Sequence, residues 1–590
     1  MLGGSPRILE INLTTEEAEV HERDDLKGSL GGTGLATALF AAGVQYEQDA
    51  LSSVQPIVIA IGPLTGIFPV ITKAVSMFRS PLTGGLGESH AGMRLGMALR
   101  FAGYDAVLIK GRARRPVYLV INSRGIKVKP AGPLWGMSVE ETGRILREIE
   151  GCEGHRSCLR IGPAGERLVR FAGVNVDTYR HFGRLGLGAV FGSKQLKGIV
   201  VQGDLTDFPI EFPREYRKVY GEAYRKVTGT EVMEKYHGLG TAGNVLALNE
   251  LRALPTRNLQ SSRFEGAAEI SGEAFAKHSL LRKLACAGCP VGCIHLALHR
   301  RGFGAGHEYE FSQLAYDHEL IYALGSLLGL ASRQDILSLI QAVEQAGLDA
   351  ISTGVALAWA TEALASGLIA EAELGCRLEF GDLGGYLAAV EGIVRQESEP
   401  YQVLAQGTAA AAARYGGEGF AMVLAGNEAA GYHTGYANIV GQAVGARHSH
   451  LDNAGYSLDQ EQGLSLDQLA SKLLQEEVER SVLTSLCICL FARKVYDFDL
   501  VQRALGAVGL NWGQRELYDL GRDIFLAKRD IQGRLGFKPE RVQFPRRFFE
   551  TPSLNGMLEP WQAERLLGEY LTKVEQFREG TLPGDWFSAP

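Results

Sequence analysis

Three cysteines within eight residues, Cys286-Ala-Gly-Cys289-Pro-Val-Gly-Cys293, constrain this chain more than any other feature. Thiols so close can wrap one object, because glycine tolerates the positive-φ backbone that such a loop needs. A fourth ligand must come from elsewhere, and Cys487 and Cys489 lie about 200 residues further on. A fold that closes the site must bring those two segments together. Three thiols in a tight loop plus one remote thiol suit a [4Fe–4S] cluster. The alternatives are a Cys₄ zinc site, which more often uses two separated pairs, and buried thiols without a ligand. Spacing favours the cluster. Cys152, Cys158 and Cys376 have no such context and read as structural.

The chain has 590 residues, enough for about four domains or three large ones. Hydrophobic residues make up 46% and charged residues 22%, a globular balance that excludes a mainly disordered chain. The net charge of −7 puts nucleic acid outside the expected partners, since such binders carry a basic surplus. Eight cysteines are too few for a disulfide scaffold. Met1–Glu10 lacks the pattern of a signal peptide, and no apolar window reaches the length of a membrane span. A cytoplasmic chain with reduced thiols is expected.

Glycine clusters punctuate strand-like runs over the first ~200 residues. Ile8–Leu13 and Ala18–His21 read as a hairpin. Ile57–Ile61, Ala74–Phe78, Ala106–Ile109, Val117–Ile121, Leu168–Val176 and Lys197–Val201 read as strands. Helical spacing dominates afterwards, in Arg214–Val227, Arg333–Ala346, Val355–Ser366, Leu404–Tyr415, Leu466–Glu479, Gln514–Arg529 and Glu559–Phe577. The expected fold class is α+β: a β-sheet-rich domain over 1–207, then two mainly α-helical domains over 208–417 and 418–590. Gly183–Gly192 is a poor match to a dinucleotide fingerprint, since it runs quickly into another strand. A backbone nest for a phosphate, with Arg184 as charge partner, and an ordinary tight turn both fit it.

Several ordered blocks resemble the tungsten-containing aldehyde ferredoxin oxidoreductase family over nearly the whole length. They include Gly62-Pro-Leu-Thr-Gly66, Arg79-Ser-Pro-Leu-Thr-Gly84, Ala102-Gly-Tyr-Asp-Ala106, Ile161-Gly-Pro-Ala-Gly-Glu166, Gly192-Ser-Lys194, Leu254-Pro-Thr-Arg-Asn258 and the cysteine loop. The resemblance implies a tungsten, or molybdenum, held by two pterins whose phosphates share a Mg²⁺, with a [4Fe–4S] cluster beside them. It implies that the amino-terminal domain is the pterin platform, with Arg79, Ser89, His90, Arg184 and Gly186 near the phosphates. The family's two pterin-ring motifs correspond to Glu344-Gln-Ala-Gly-Leu-Asp349 and Thr484-Ser-Leu-Cys-Ile-Cys489. Glu344 keeps a carboxylate acceptor where the family has Asp, while Thr484 replaces the second one. Cys489 aligns with the family's fourth cluster ligand, so the resemblance implies Cys286, Cys289, Cys293 and Cys489 as the metal-binding set.

The family's acid–base segment is matched to Gly306-His307-Glu308-Tyr309-Glu310, which implies that Tyr309 and Glu310 approach the metal. A second segment, Gly445-Ala-Arg-His448-Ser-His450-Leu-Asp452, matches the family's His at His450 and adds His448. The expected reaction is oxidation of a small-molecule aldehyde to a carboxylic acid, with Glu310 as base and His450 bonding the carbonyl oxygen. Electrons would leave through the cluster to ferredoxin or a partner iron–sulfur subunit. Homo- and hetero-oligomers are both open. One alternative is the catalytic subunit of a class II benzoyl-CoA-type reductase, which shares the cofactor. Another is a non-catalytic electron-transfer subunit, against which Arg184, Asp349 and Glu310 argue.

Overall fold

A computed structural model describes residues 4–151, 154–206, 210–303, 308–461 and 463–582. Short apolar runs alternating with glycine-bearing turns build two six-stranded mixed sheets in the first third. Their strands are β1 (Arg7–Asn12), β2 (Glu17–Glu22), β3 (Ile57–Ala60), β4 (Ala74–Arg79), β5 (Leu86–Ala91), β6 (Ala106–Lys110), β7 (Val117–Asn122), β8 (Gly125–Pro130), β9 (His155–Arg160), β10 (Val174–Val176), β11 (Arg180–Phe182) and β12 (Leu196–Gly203). The first sheet runs β2-β1-β6-β3-β4-β5 and the second β11-β10-β9-β12-β7-β8. Helix Leu95–Ala102 joins them. Its Leu95 and Leu99 share a buried cluster with Ile57 and Val107 of one sheet and Leu119 and Ile199 of the other.

Helices dominate from Pro213 onward. The longest apolar stripes became Arg333–Ala346, Ala350–Ala365, Leu466–Ser485, Gln514–Arg534 and Pro560–Glu579. Ser465 and Gln468 form a reciprocal cap that starts Leu466–Ser485. The far end of that helix lies against helix Gly32–Gly43 so closely that a Cβ on Gly32 would sit 2.5 Å from the Ser485 carbonyl oxygen. Only glycine permits that approach, and it brings Thr484 and Cys489 over the first sheet. Among the described residues, no helix is long and apolar enough to cross a membrane.

The structure departs from the sequence reading in three places. Only Val174–Val176 of Leu168–Val176 is a strand, because Leu168 adopts a φ of 61° and breaks the run. Leu404–Tyr415 is split into helices Glu399–Leu404 and Thr408–Tyr415 by Gly407 at φ 110°. A third, antiparallel sheet lies in the otherwise helical part, with β13 (Leu280–Leu284), β14 (Ile294–Gly302) and β15 (Tyr309–Tyr316) in that order. The expected boundary at 207/208 falls outside the described residues.

Candidate active site

The cysteine loop connects β13 to β14, so its two ends are held by a strand pair. Gly288 and Gly292 take φ values of 79° and 65°, the conformation that lets the loop fold back on itself. Cys489 follows the long helix Leu466–Ser485, and its N–H donates to the Val70 carbonyl at 3.1 Å. Cys286, Cys289, Cys293 and Cys489 are thereby brought together. Burial and the other three sulfurs push the Cys289 thiol up to about 12. Two half-buried cations face the group. Burial opposes the charge of Lys73, while Cys489, Cys286 and Cys293 favour it; Arg180 is held in the same way, with Asp317 adding to its support. Such cations suit a cluster of thiolates. Among the described residues, no three His, Cys, Asp or Glu side chains converge as a lone ion requires. Cys487 is not part of this group. It is buried at a φ of 60°, against Thr65 and the Gly62 backbone on the other side of its strand of chain.

Beside the thiols lies a cavity of about 280 Å³. Lys73, Ser89, His90, Arg184, Arg447, Thr484 and Cys489 line it. Arg184 follows β11 directly. Its Nε lies 3.2 Å from Asp349 Oδ2, its Nη2 donates to Asn427 Oδ1 at 2.8 Å, and its Nη1 is buried without a partner. Asp349 also caps helix Ala350–Ala365, accepting from the N–H groups of Ile351 and Ser352. Glu344 reaches the cavity through His181, which lies 2.8 Å from Glu344 Oε2 and itself lines the wall. Thr484 spends its hydroxyl on the Arg480 carbonyl, 2.7 Å away. A charge cluster closes the floor. Glu88 meets Lys528 Nζ at 2.6 Å and His90 Nε2 at 2.7 Å, with Arg447 at 3.9 Å. Despite burial, Lys528, His90 and Arg447 hold the Glu88 carboxyl well below 4.5.

Next to Arg184, though not among the residues that line this cavity, the half-buried Glu319 meets the buried His450, a contact that the sequence reading missed. His450 Nε2 lies 3.3 Å from Glu319 Oε1. Burial, with Asp317 nearby, pushes the Glu319 carboxyl up to about 7, although the Tyr432 hydroxyl and the Gly431 backbone favour its anion. Burial and the charges of Arg184 and Arg447 hold His450 well below 6.5. The imidazole is therefore neutral, and the contact is not an ion pair. Glu319 Oε2 and His450 Nδ1 are buried without partners. Together with Arg184 Nη1 they leave one acceptor and two ring or guanidinium nitrogens for a ligand to satisfy. The signal was Asp317-His318-Glu319, a cap ahead of an apolar helix, which propensity reads as structural.

Five expected site residues lie elsewhere. Glu310 is exposed on β15 and pairs with Arg301 at 2.6 Å, and Tyr309 is exposed beside Arg300. Neither reaches the cavity, because β14 and β15 carry them outward from the cysteine loop; Gly306 and His307 lie outside the described residues. Arg79 donates to the carbonyls of Gly84 and Tyr46 at 3.1 and 3.0 Å, so its charge is used by a backbone turn. His448 Nδ1 donates to the Ala443 carbonyl oxygen, 2.9 Å away, and the ring packs edge-on against Phe537. Gly186 does not line the cavity. A Cβ there would meet the Arg170 carbonyl oxygen at 2.1 Å, so its role is steric. Cys158 and Cys376 are free thiols away from the site, and Cys152 lies outside the described residues.

Residues 8–203 match the family description "Aldehyde ferredoxin oxidoreductase, N-terminal domain", and residues 218–580 match its domains 2 and 3. The tungsten-containing aldehyde ferredoxin oxidoreductase of Pyrococcus furiosus is 33% identical, over 94% of this chain and 93% of that protein. The aliphatic sulfonate oxidoreductase, WOR-like subunit, of the same organism is 31% identical over 69% of this chain and 66% of that protein. Among solved structures, the active site complex BamBC of benzoyl coenzyme A reductase, in complex with 1,5-dienoyl-CoA, superposes with a TM-score of 0.81. That match covers 99% of both chains at 19% identity, and so speaks for the fold alone.

Proposed function

The chain belongs to the aldehyde ferredoxin oxidoreductase family, a family of oxidoreductases whose curated relatives contain tungsten, and on that premise we propose that it oxidises aldehydes to carboxylic acids. The balance is an aldehyde plus water giving a carboxylate, three protons and two electrons. A tungsten or molybdenum bis-pterin, when bound, would supply the two-electron acceptor, and a [4Fe–4S] cluster, which Cys286, Cys289, Cys293 and Cys489 would hold, would pass single electrons to ferredoxin or a partner iron–sulfur subunit. The chain's residues fit these groups. Arg184, Ser89 and His90 offer polar atoms to pterin phosphates, Asp349 and Glu344 stand behind the wall, and Cys286, Cys289, Cys293 and Cys489 face Lys73 and Arg180. Phosphate oxygens would have to supply most ligands of a Mg²⁺, as is usual for that ion. A cytoplasmic setting belongs to the same reading.

The observation that carries the reaction is the Glu319–His450 contact, 3.3 Å long, beside Arg184. A base works best when its pKa lies near the operating pH, and the Glu319 carboxyl at about 7 meets that requirement. Glu319 takes a proton from the attacking water or the hydrated aldehyde. His450, held neutral, donates a hydrogen bond to the carbonyl oxygen as negative charge grows there. Tyr432, bonded to Glu319 and packed 5.3 Å from the His450 ring, fixes both. The test is aldehyde-dependent reduction of benzyl viologen by anaerobically purified protein. Glu319→Gln should lower turnover by about 10²–10⁴-fold with metal and iron content intact. Glu310→Gln should leave it unchanged; full activity in Glu319→Gln would sink the assignment.

A further inference from the structure

Two stacked pairs of aromatic rings lead from the Glu319–His450 contact to the cavity beside the thiols. Tyr432 and Tyr456 lie 4.4 Å apart at 23°, and both approach the His450 ring, at 5.3 and 5.8 Å. Tyr236 and Phe491 lie 4.1 Å apart at 17°, and Phe491 lines the cavity. The two pairs are neighbours: burial and the nearby Tyr456 hydroxyl push the Tyr236 phenol up. Tyr236 belongs to helix Glu231–Gly238, Tyr456 to the short helix Gly455–Leu458 and Phe491 to the turn after Cys489, so tertiary packing assembles the group.

A hydrophobic core would cover such rings on every side. Tyr236, Tyr456 and Phe491 are only half-buried, as is Glu319. Leu451, which follows His450 in the chain and shares the cavity wall with Phe491, is 38% exposed. Part of the aromatic surface is therefore left open close to the carboxyl that a substrate must reach. The rings are also fixed in place. Arg493 bonds the Tyr236 hydroxyl, and the Tyr432 hydroxyl is bonded to Glu319 while its ring packs 5.0 Å from that of His318.

We propose that these rings determine specificity, and that the substrate is an aromatic aldehyde whose flat ring stacks on Tyr456 and Phe491. The proposal rests on the reading of Glu319 and His450 as the reacting pair. Aromatic rings attract one another through their quadrupoles in offset stacks and edge-to-face contacts, beyond the gain from apolar burial. A puckered ring or a short aliphatic chain offers no such face. Walls held by Arg493, Glu319 and His318 lose little freedom when a ring enters between them, so the stacking gain is kept. The balance is one aromatic aldehyde plus one water giving an aromatic carboxylate, three protons and two electrons, which the assay collects on benzyl viologen.

The experiment uses the anaerobically purified holoenzyme. Calorimetry compares benzamide with cyclohexanecarboxamide, two analogues of equal carbon number that are not oxidised and differ in ring planarity. The wild type should bind benzamide about two- to tenfold more tightly. Equal affinities overturn the proposal without recourse to any variant. Benzyl viologen turnover then compares benzaldehyde with acetaldehyde. Tyr456→Leu and Phe491→Leu should each raise the KM for benzaldehyde about two- to tenfold and leave acetaldehyde turnover within about twofold. An equal loss for both aldehydes would make the rings structural and overturns the proposal. If no aldehyde is oxidised but benzamide binds and both variants weaken it, the function proposed above falls and the aromatic site stands. If aldehydes are oxidised and benzamide is not preferred, the function stands and the aromatic site falls.

Discussion

Burial and the Asp317 carboxylate lift the Glu319 carboxyl to about 7, and that shift acts on both catalysis and stability. As a base, Glu319 works in its anionic form, so turnover should rise with pH through about 7, a limb that Glu319→Gln removes along with most of the rate. The stability effect has the opposite sense. A carboxyl raised above its ordinary 4.5 binds its proton more tightly folded than unfolded, so its contribution is lost as pH rises from about 4.5 to 7. Glu319→Gln should therefore raise the Tm of cofactor-free protein at pH 8 while lowering activity; a lower Tm would mean that the carboxylate is structurally needed. The thiols give a second test at this scale. Cys489→Ser should perturb the EPR signal and iron content of the cluster, and Cys487→Ser, against the Gly62 turn, should leave them intact. The reverse pattern would move the fourth ligand.

At the scale of an element, helix Ala350–Ala365 shows how a cap and a site residue are combined. Asp349 accepts from Ile351 and Ser352 N–H groups and faces Arg184 at 3.2 Å. Asp349→Ala removes both functions and should cost about 0.5–2 kcal/mol from the cap alone. Asp349→Asn keeps an acceptor for the helix but not the charge for Arg184. Denaturant midpoints should therefore fall for Ala and stay near wild type for Asn, while both variants lose cofactor content. Equal midpoints for Ala and wild type would remove Asp349 from the cap. The pattern of helices such as Arg333–Ala346 was legible in the sequence because 3.6-residue spacing is a local property. The β13–β15 sheet was not, because its pairing depends on the loops between its strands.

Across the whole molecule, Glu88 on β5 joins the first sheet to Lys528 on helix Gln514–Arg534 and to Arg447 near the cavity. Removing one partner of a buried pair typically costs about 3–5 kcal/mol, since a charge is left without compensation. Lys528→Met should lower the stability by that order, and adding Glu88→Leu should restore part of it. The pH sense follows from Glu88, held well below 4.5. Its stabilisation is present above about 4.5 and is lost as pH falls through its lowered value, so wild type and Lys528→Met should converge in acid. Urea titrations at pH 7 and pH 4 check this. A gap that widens in acid would contradict it.

The sequence by itself determined what is local. The spacing of Cys286, Cys289 and Cys293 with glycines between them marked the loop whose thiols meet Cys489. Ordered blocks specified the family, and apolar periodicity located the main helices. The sequence also marked His450, Arg184 and Asp349 as site residues. Tertiary structure alone decided which glutamate stands beside His450. Glu310 and Glu319 are nine residues apart, yet one pairs with Arg301 in solvent and the other lies half-buried against a histidine from a segment about 130 residues away. The physical reason is that a carboxyl's proton affinity is set by desolvation and by charges in space. Sequence distance encodes neither.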